Sequence, residues 1–299
     1  MDSAETPQIA GSAASPGGAP RSVLVGLIGA GIQASRMPPL HQAEGASLGL
    51  NYVYKLVDLT VLGLTEAALP ELLTAARRFG FAGLNVTHPC KQAVVPLLDG
   101  LSEDARIIGA VNTVVFGPDG RATGHNTDVS GFAEGFRREL PDAARERVLQ
   151  MGAGGAGAAV AHALMGQGVK RLELVDTDRA RAGRLARELC HRFGAGRAAT
   201  ADSAEKAIAH ADGIVNATPV GMEKYPGTPV DARLLRPDLW VVDIIYFPIE
   251  TELLRRARAL GCRTMGGGGM AVFQAVDAFR LFTGIEPDAE RMLRHFHRL

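Results

Sequence analysis

Cysteine is scarce: Cys90, Cys190 and Cys262 are three in number and far apart. That excludes a disulfide framework and a paired-cysteine metal site, and it points to reduced thiols in a cytoplasmic protein without a metal. No charge of one sign dominates. The 32 basic and 32 acidic residues cancel, so there is no electrostatic case for nucleic acid or an anionic membrane as partner. No apolar run reaches the length of a membrane span, and no short-period repeat is present. The first twenty residues, MDSAETPQIAGSAASPGGAP, have neither the basic start nor the apolar centre of a signal peptide. Small, polar and rich in Pro and Gly, residues 1–20 read as a disordered tail.

Apolar side chains are plentiful. At 46 % of 299 residues they can fill the core of one large domain or two ordinary ones. From Arg21 onward, short apolar runs alternate with helical patterns. VLVGLIG, NYVYKLVDL and FAGLNVTH read as strands, and LPELLTAARRFG reads as a helix stopped by Gly80. AVVPLLDGLSEDARIIGA reads as helix, and AVNTVVF with RATGHNT as a hairpin around GPDG. Further on come RVLQM, RLELVDTD, ADGIVNATP and LWVVDIIYF as strands, separated and followed by helical stretches. Strands alternating with helices predict an α/β fold with parallel sheets covered on both faces. The expected division is a first domain over residues 21–127, joined by the last helices over 268–299, and a second over 128–267, with a cleft between.

Two stretches share the glycine spacing of a strand that turns into a helix under a dinucleotide. The first is Gly29-Ala30-Gly31-Ile32-Gln33-Ala34, after VLVGLI; the second is Gly152-Ala153-Gly154-Gly155-Ala156-Gly157, after RVLQM. Such a turn needs an uninterrupted helix whose N-terminus faces the pyrophosphate, and an acidic residue closing the next strand to meet the ribose. Pro38 and Pro39 interrupt any helix starting at the first turn. The second runs into AAVAHALMGQG, and Asp176 closes LELVD at the right distance. The Rossmann-type cofactor site is therefore expected at Gly152–Gly157 with Asp176.

The remaining motifs resemble the shikimate/quinate dehydrogenases from Ser22 to the C-terminus. They are Ser35-Arg36-Met37-Pro38 with His41, LNVTHPCK (84–91), GAVNT (109–113), GHNTDVSGF (124–132), GAGGAG, NATPVGM (216–222) and FQAVDAFRLFTG (273–284). The NAD-linked quinate/shikimate branch is the most similar. The resemblance implies an NAD-dependent oxidoreductase acting on a small cyclic hydroxy acid, with hydride transfer at a ring alcohol. It implies Lys91 as acid/base and Asp128 as its partner. It further implies Ser35, Met37, Thr87, Asn112, Tyr246 and Gln274 around the substrate. Asn216, Thr218, Pro219 and Gly267 would join Gly152–Gly157 and Asp176 around the cofactor. NADP-linked members carry an arginine where Thr177 stands here, so NAD is expected to be preferred over NADP. A homodimer is left open.

Two positions depart from the family pattern. The second hydroxyl of the turn expected to hold the substrate carboxylate is Met37, and a thioether offers no donor. The run Gly266–Gly269 replaces an Asp-Gly turn and is expected to loosen a loop beside the nicotinamide. Both leave room for an amino-substituted or otherwise modified ring acid as substrate. A non-catalytic, nucleotide-responsive regulator is the alternative of another class; it would have no need of Lys91 and Asp128.

Overall fold

A computed structural model describes residues 20–299; the tail expected over residues 1–20 lies outside the described residues except for Pro20. Two six-stranded sheets follow one another along the chain. The first holds β1 (Ser22–Gly29), β2 (Asn51–Asp58), β3 (Gly83–Val86), β4 (Gly100–Leu101), β5 (Thr113–Phe116) and β6 (Ala122–His125). The second holds β7 (Arg147–Met151), β8 (Arg171–Val175), β9 (Ala198–Thr200), β10 (Gly213–Asn216), β11 (Trp240–Asp243) and β12 (Arg263–Met265). The helices are α1 (Met37–Ser47), α2 (Leu59–Leu62), α3 (Leu69–Arg78), α4 (Cys90–Ala93), α5 (Glu103–Ile108) and α6 (Asp128–Glu139). They continue with α7 (Gly155–Gly166), α8 (Arg179–Phe193), α9 (Ala204–Ile208), α10 (Glu252–Ala259), α11 (Gly267–Thr283) and α12 (Ala289–Phe296).

The second sheet is parallel throughout, in the order β12-β11-β10-β7-β8-β9. Its chain direction reverses between β7 and β10, so a crevice opens at the strand ends there, where ligands of open α/β sheets bind. The first sheet, ordered β2-β1-β3-β5-β6-β4, is mixed rather than parallel. β5 runs antiparallel to β3 and to β6, and the turn Gly117–Gly120 joins it to β6 as a hairpin instead of a helical crossover. Helices α6 and α11 join the two halves. Gly131 lets them touch: a Cβ there would lie 2.7 Å from the Gln274 nitrogen. From this pair Phe132 and Phe136 enter the second core, and Phe279 and Phe282 the first.

Three expectations change. The helix expected over AVVPLLDGLSEDARIIGA is a single 3-10 turn at Val95–Leu97, the short strand β4 and then α5. Pro96 and the Asp99–Gly100 step break it, and Ser102 starts α5 afresh by accepting from the Ala105 N–H. Pro38 and Pro39 end no helix; they stand in the first turn of α1, where the missing N–H groups have no partner to lose. The run Gly266–Gly269 is no loose loop. Gly266 is the N-cap of α11 and the next three residues form its buried first turn, none with positive φ. Gly267 is held so close to the chain after β11 that a Cβ would meet the Ile244 oxygen at 2.2 Å.

Candidate active site

The first glycine turn is assembled by carboxylate contacts. β2 ends at Asp58, which reaches across to accept from the Gly31 and Ile32 backbone N–H groups, at 2.8 and 2.9 Å, and from Gln33 Nε2 at 2.9 Å. It also caps α2 through the Thr60 N–H at 3.0 Å. Burial alone would raise its pKa; these four hydrogen bonds outweigh that and hold the carboxyl below its usual range. Gly31 adopts φ +66°, and a Cβ on Gly29 would press to 2.4 Å from Thr87 Cγ2. The turn thus lies directly against Thr87, one residue after β3, and leads through Ser35 into α1. Ser35 Oγ accepts from the Met37 N–H at 3.3 Å.

Lys91 and Asp128 come together at the end of this sheet. Lys91 sits in α4, just past β3, and Asp128 is the first residue of α6, just past β6. Lys91 Nζ donates to Asp128 Oδ2 at 2.6 Å, with the side chains 20 % and 9 % exposed. The pair is therefore shielded yet not sealed off. Asn112 Nδ2 donates to the other carboxylate oxygen at 3.0 Å, and Asn112 Oδ1 accepts from the Thr127 N–H at 2.8 Å. Asp128 does not cap α6 with its side chain. Its charge instead stands in the first turn, where the helix dipole favours an anion. Thr127 Oγ1 extends the network to Gln274 Oε1 at 3.5 Å, and Gln274 Nε2 meets Met37 Sδ at 3.2 Å. Lys91, Asp128, Asn112, Gln274 and Met37 thus form one connected set, and Thr87 and Ser35 lie on the adjoining turn. Tyr246 is 37 % exposed. Burial of its hydroxyl raises its pKa, and the Asp128 carboxylate raises it further.

The second glycine turn is built differently. Gly152 has φ +96°, and a Cβ there would collide with the Ala217 oxygen at 2.5 Å. A Cβ on Gly157 would meet the Gly152 oxygen at 2.3 Å, so α7 packs tightly onto the end of β7. Around Gly154 nothing lies within 4 Å of where a Cβ would stand. The turn is therefore closed against the protein and open toward the crevice, as a pyrophosphate at a helix N-terminus requires. Ala153 N–H donates to Asp176 Oδ2 at 2.7 Å. Asp176 Oδ1 accepts from the Asp178 N–H at 2.8 Å and from Arg181 Nη2 at 2.9 Å. Burial alone would raise the Asp176 pKa; Arg181 and the two backbone donors reverse that and lower it. A surface hollow lined by Val175, Asp176, Arg179, Thr200 and Asp202 adjoins the carboxylate, on the side where an adenosine would lie. The residues present fit a nicotinamide dinucleotide.

Asn216 closes β10, fully buried, with its amide committed to the protein: Nδ2 donates to Val220 O and Asp243 Oδ1, and Oδ1 accepts from Thr218 N–H and Oγ1. It shapes the Thr218–Pro219 loop at the crevice rather than presenting its own side chain. Three residues that sequence patterning passes over also matter. Asp58 holds the first turn. Thr127 links Asn112 to Gln274; its adjacency to Asp128 in GHNTD is the signal that could have marked it. Gln150 Nε2 donates to the Gly152 and Gly157 oxygens, both at 2.8 Å, and locks the second turn from below.

Known proteins resemble this chain over nearly its whole length. The family described as "Shikimate dehydrogenase substrate binding domain" matches residues 27–114, and "Shikimate 5'-dehydrogenase C-terminal domain" matches 267–295. Between them, residues 126–240 match the ThiF family. A shikimate dehydrogenase (NADP(+)) from Streptomyces avermitilis is 60 % identical over 274 residues, 91 % of this chain and 94 % of that protein. The chain belongs to the shikimate/quinate dehydrogenase family. A quinate/shikimate dehydrogenase (NAD(+)) from Corynebacterium efficiens is 55 % identical over 277 residues, 92 % of this chain and 98 % of that one. In structure the chain resembles quinate dehydrogenase from Corynebacterium glutamicum in complex with NAD, with a TM-score of 0.88 and 51 % identity, covering 93 % of this chain and all of that one. This family member is accordingly an NAD(P)-dependent oxidoreductase of the alcohol dehydrogenase type. No helix among the described residues is long and apolar enough to cross a membrane.

Proposed function

We propose that the chain interconverts quinate with 3-dehydroquinate and shikimate with 3-dehydroshikimate, using NAD in preference to NADP. The contact of Lys91 with Asp128 at 2.6 Å, past the ends of β3 and β6, carries this reading. Gly152–Gly157 would hold a dinucleotide whose nicotinamide would supply or accept the hydride. Lys91 stands to hydrogen-bond the oxygen of the reacting carbon. As the ketone is reduced, Lys91 gives that oxygen a proton; in the oxidative direction the deprotonated amine takes it back. Asp128 keeps the lysine aimed, and is itself held by Asn112. Ser35, Thr87, Asn112, Gln274 and Tyr246 offer neutral hydrogen-bonding groups to the ring hydroxyls and carboxylate. A site built this way rejects analogues that leave those groups unpaired. Residues 21–127 with 268–299 serve as the substrate half, and 128–267 as the cofactor half. A reduced cytoplasm is the compartment that three free thiols suit.

The cofactor preference rests on Asp176. A 2′-phosphate brings a charge of about −1.5 to −2. At about 4 Å from a carboxylate, with an effective dielectric near 20, each unit pair repels by about 4 kcal/mol. Arg181, paired with Asp176 at 2.9 Å, offsets part of that. Half the penalty still exceeds ten-fold in affinity. One observation favours a second substrate reading: Met37 places a thioether where the family has a hydroxyl, which suits a ring acid altered near that turn. Steady-state formation of NADH or NADPH with quinate and with shikimate tests both readings. The expected result is turnover of at least one acid, faster in kcat/KM with NAD. Turnover of neither acid removes the assignment; parity between the cofactors means that Asp176 does not face the ribose.

A further inference from the structure

A line of buried hydrogen bonds runs from the Lys91–Asp128 pair across the first sheet. It starts at Tyr54 in β2, whose phenol reaches across β1 to β3 and donates to Asn85 Oδ1 at 2.8 Å. Asn85 Nδ2 donates to Thr113 Oγ1 at 3.0 Å, and Thr113 Oγ1 donates to Asn112 Oδ1 at 3.1 Å. Asn112 Nδ2 then donates to Asp128 Oδ1 at 3.0 Å, the oxygen that Lys91 does not hold. Tyr54, Asn85, Thr113, Asn112 and Asp128 are all buried. Fixed groups set the direction of each link. Asn85 Nδ2 also reaches the Asn112 backbone oxygen at 3.4 Å, which can only accept, so the Asn85 amide oxygen faces Tyr54. Asn112 Oδ1 accepts at 2.8 Å from the Thr127 backbone N–H, which can only donate, so the Asn112 amide nitrogen faces Asp128. The Thr113 hydroxyl receives from Asn85 and has one proton, which goes to Asn112. Burial raises the pKa of the Tyr54 phenol well above its ordinary value, so it stays a donor. Tyr52, two residues earlier on the same strand and also buried, pairs its hydroxyl with His41 Nδ1 at 3.2 Å and takes no part in the line.

We propose that Tyr54 and Thr113 are positioning residues for the proton transfer, acting on Asp128 through the Asn112 amide. This rests on the reading of Lys91 as the acid/base. Asp128 aims the lysine only as firmly as it is itself held. Lys91 takes one carboxylate oxygen and Asn112 the other, so a shift of the Asn112 amide turns the carboxylate and carries the ammonium with it. Without the Tyr54 hydroxyl, Asn85 Oδ1 is a buried acceptor with no donor, and the amide must shift or turn to find one. Either movement draws the Thr113 hydroxyl away from Asn112. Small misplacements of a reacting group cost rate. The loss therefore falls on the chemical step and leaves substrate and nucleotide affinity in place.

Single-turnover rates of NADH formation, which product release does not mask, test this with whichever of quinate and shikimate the wild type turns over. The variants are Tyr54→Phe, Thr113→Val, Thr113→Ser, Tyr52→Phe and the double variant Tyr54→Phe/Thr113→Val. One hydrogen bond between neutral groups is worth about two- to ten-fold. The rate is expected to fall by about that factor in Tyr54→Phe and in Thr113→Val, with KM and the Kd for NADH unchanged. Thr113→Ser keeps the hydroxyl and should restore the rate. Tyr52→Phe removes a buried phenol outside the line and should leave the rate unchanged. Residues that act through one line are not additive, so the double variant should be no slower than the slower single variant. The proposal is overturned by a loss in Tyr52→Phe as large as that in Tyr54→Phe, by losses that multiply in the double variant, or by a loss that Thr113→Ser shares. Should Thr113→Val fail to fold, Tyr54→Phe against Tyr52→Phe decides alone; should Tyr54→Phe fail, Thr113→Val against Thr113→Ser decides. A near-normal rate in Lys91→Ala removes the reading of Lys91, and this inference with it. A slow Lys91→Ala beside wild-type rates in Tyr54→Phe and Thr113→Val removes only the role of the line.

Discussion

Both glycine turns leave a strand, and in both an aspartate from the neighbouring strand reaches back to the turn's own N–H groups. Asp58 takes Gly31 and Ile32; Asp176 takes Ala153. They part company at the helix. After the second turn α7 begins at Gly155, so its unpaired N–H groups face the crevice directly. After the first, α1 waits until Met37 and opens on two prolines that have no N–H to offer. Glycines also differ in use. Gly29 makes room for Thr87 within the protein, whereas Gly154 keeps open a space that the protein does not fill. The distance from strand end to helix start, not the glycine spacing, is what distinguishes the two turns.

If the two halves divide the labour this way, removing chemistry should spare the nucleotide. Lys91→Ala is expected to lower kcat by about 10²–10⁴-fold with an unchanged Kd for NADH, measured by titration of its fluorescence. A variant with near-normal kcat takes Lys91 out of the mechanism. Next in size is the substrate turn itself. Met37→Thr returns a hydroxyl, and binding of quinate or shikimate should tighten by about ten-fold, the low end for a hydrogen bond to a charged group. Weaker binding of both acids would mean that this turn does not read the carboxylate.

A third effect concerns stability. His41 of α1 is fully buried beside Tyr52 and Tyr54, and desolvation lowers its pKa to about 3. The unfolded chain takes up a proton on this residue below about pH 6.5, which the folded chain refuses until about pH 3. Its contribution is therefore complete above about pH 6.5 and is lost as the pH falls through that window, by at most about 1.4 kcal/mol per pH unit. Thermal melts of His41→Leu from pH 7 to pH 4 should show a shallower fall than the wild type. Equal slopes would show that His41 is not buried neutral.

The second turn was legible because all its requirements are local: strand, glycines, helix and Asp176 stand within one βαβ unit. The Lys91–Asp128 pair was legible only through the family's motifs, since nothing local says that two residues 37 apart will meet at 2.6 Å. α1 was hidden because prolines read as breakers away from a helix start and as openers at one. The Gly266–Gly269 run misled for a related reason. Glycine frees an isolated chain, but here close contacts with Ile244 and the following helix consume that freedom. Asp58 and Gln150 could not be read at all, because their work is done across strands or beneath a turn.

Gly154→Val tests the division between the turns most directly. Gly154 has ordinary φ, and no protein atom lies where its Cβ would go, so the fold should tolerate the side chain. The valine would occupy only the space assigned to the pyrophosphate. Isothermal titration with NAD should show binding weakened by more than about ten-fold, equivalent to about 1.4 kcal/mol, at an unchanged melting temperature without cofactor. An NAD affinity equal to that of the wild type would contradict the assignment of the cofactor to the second turn.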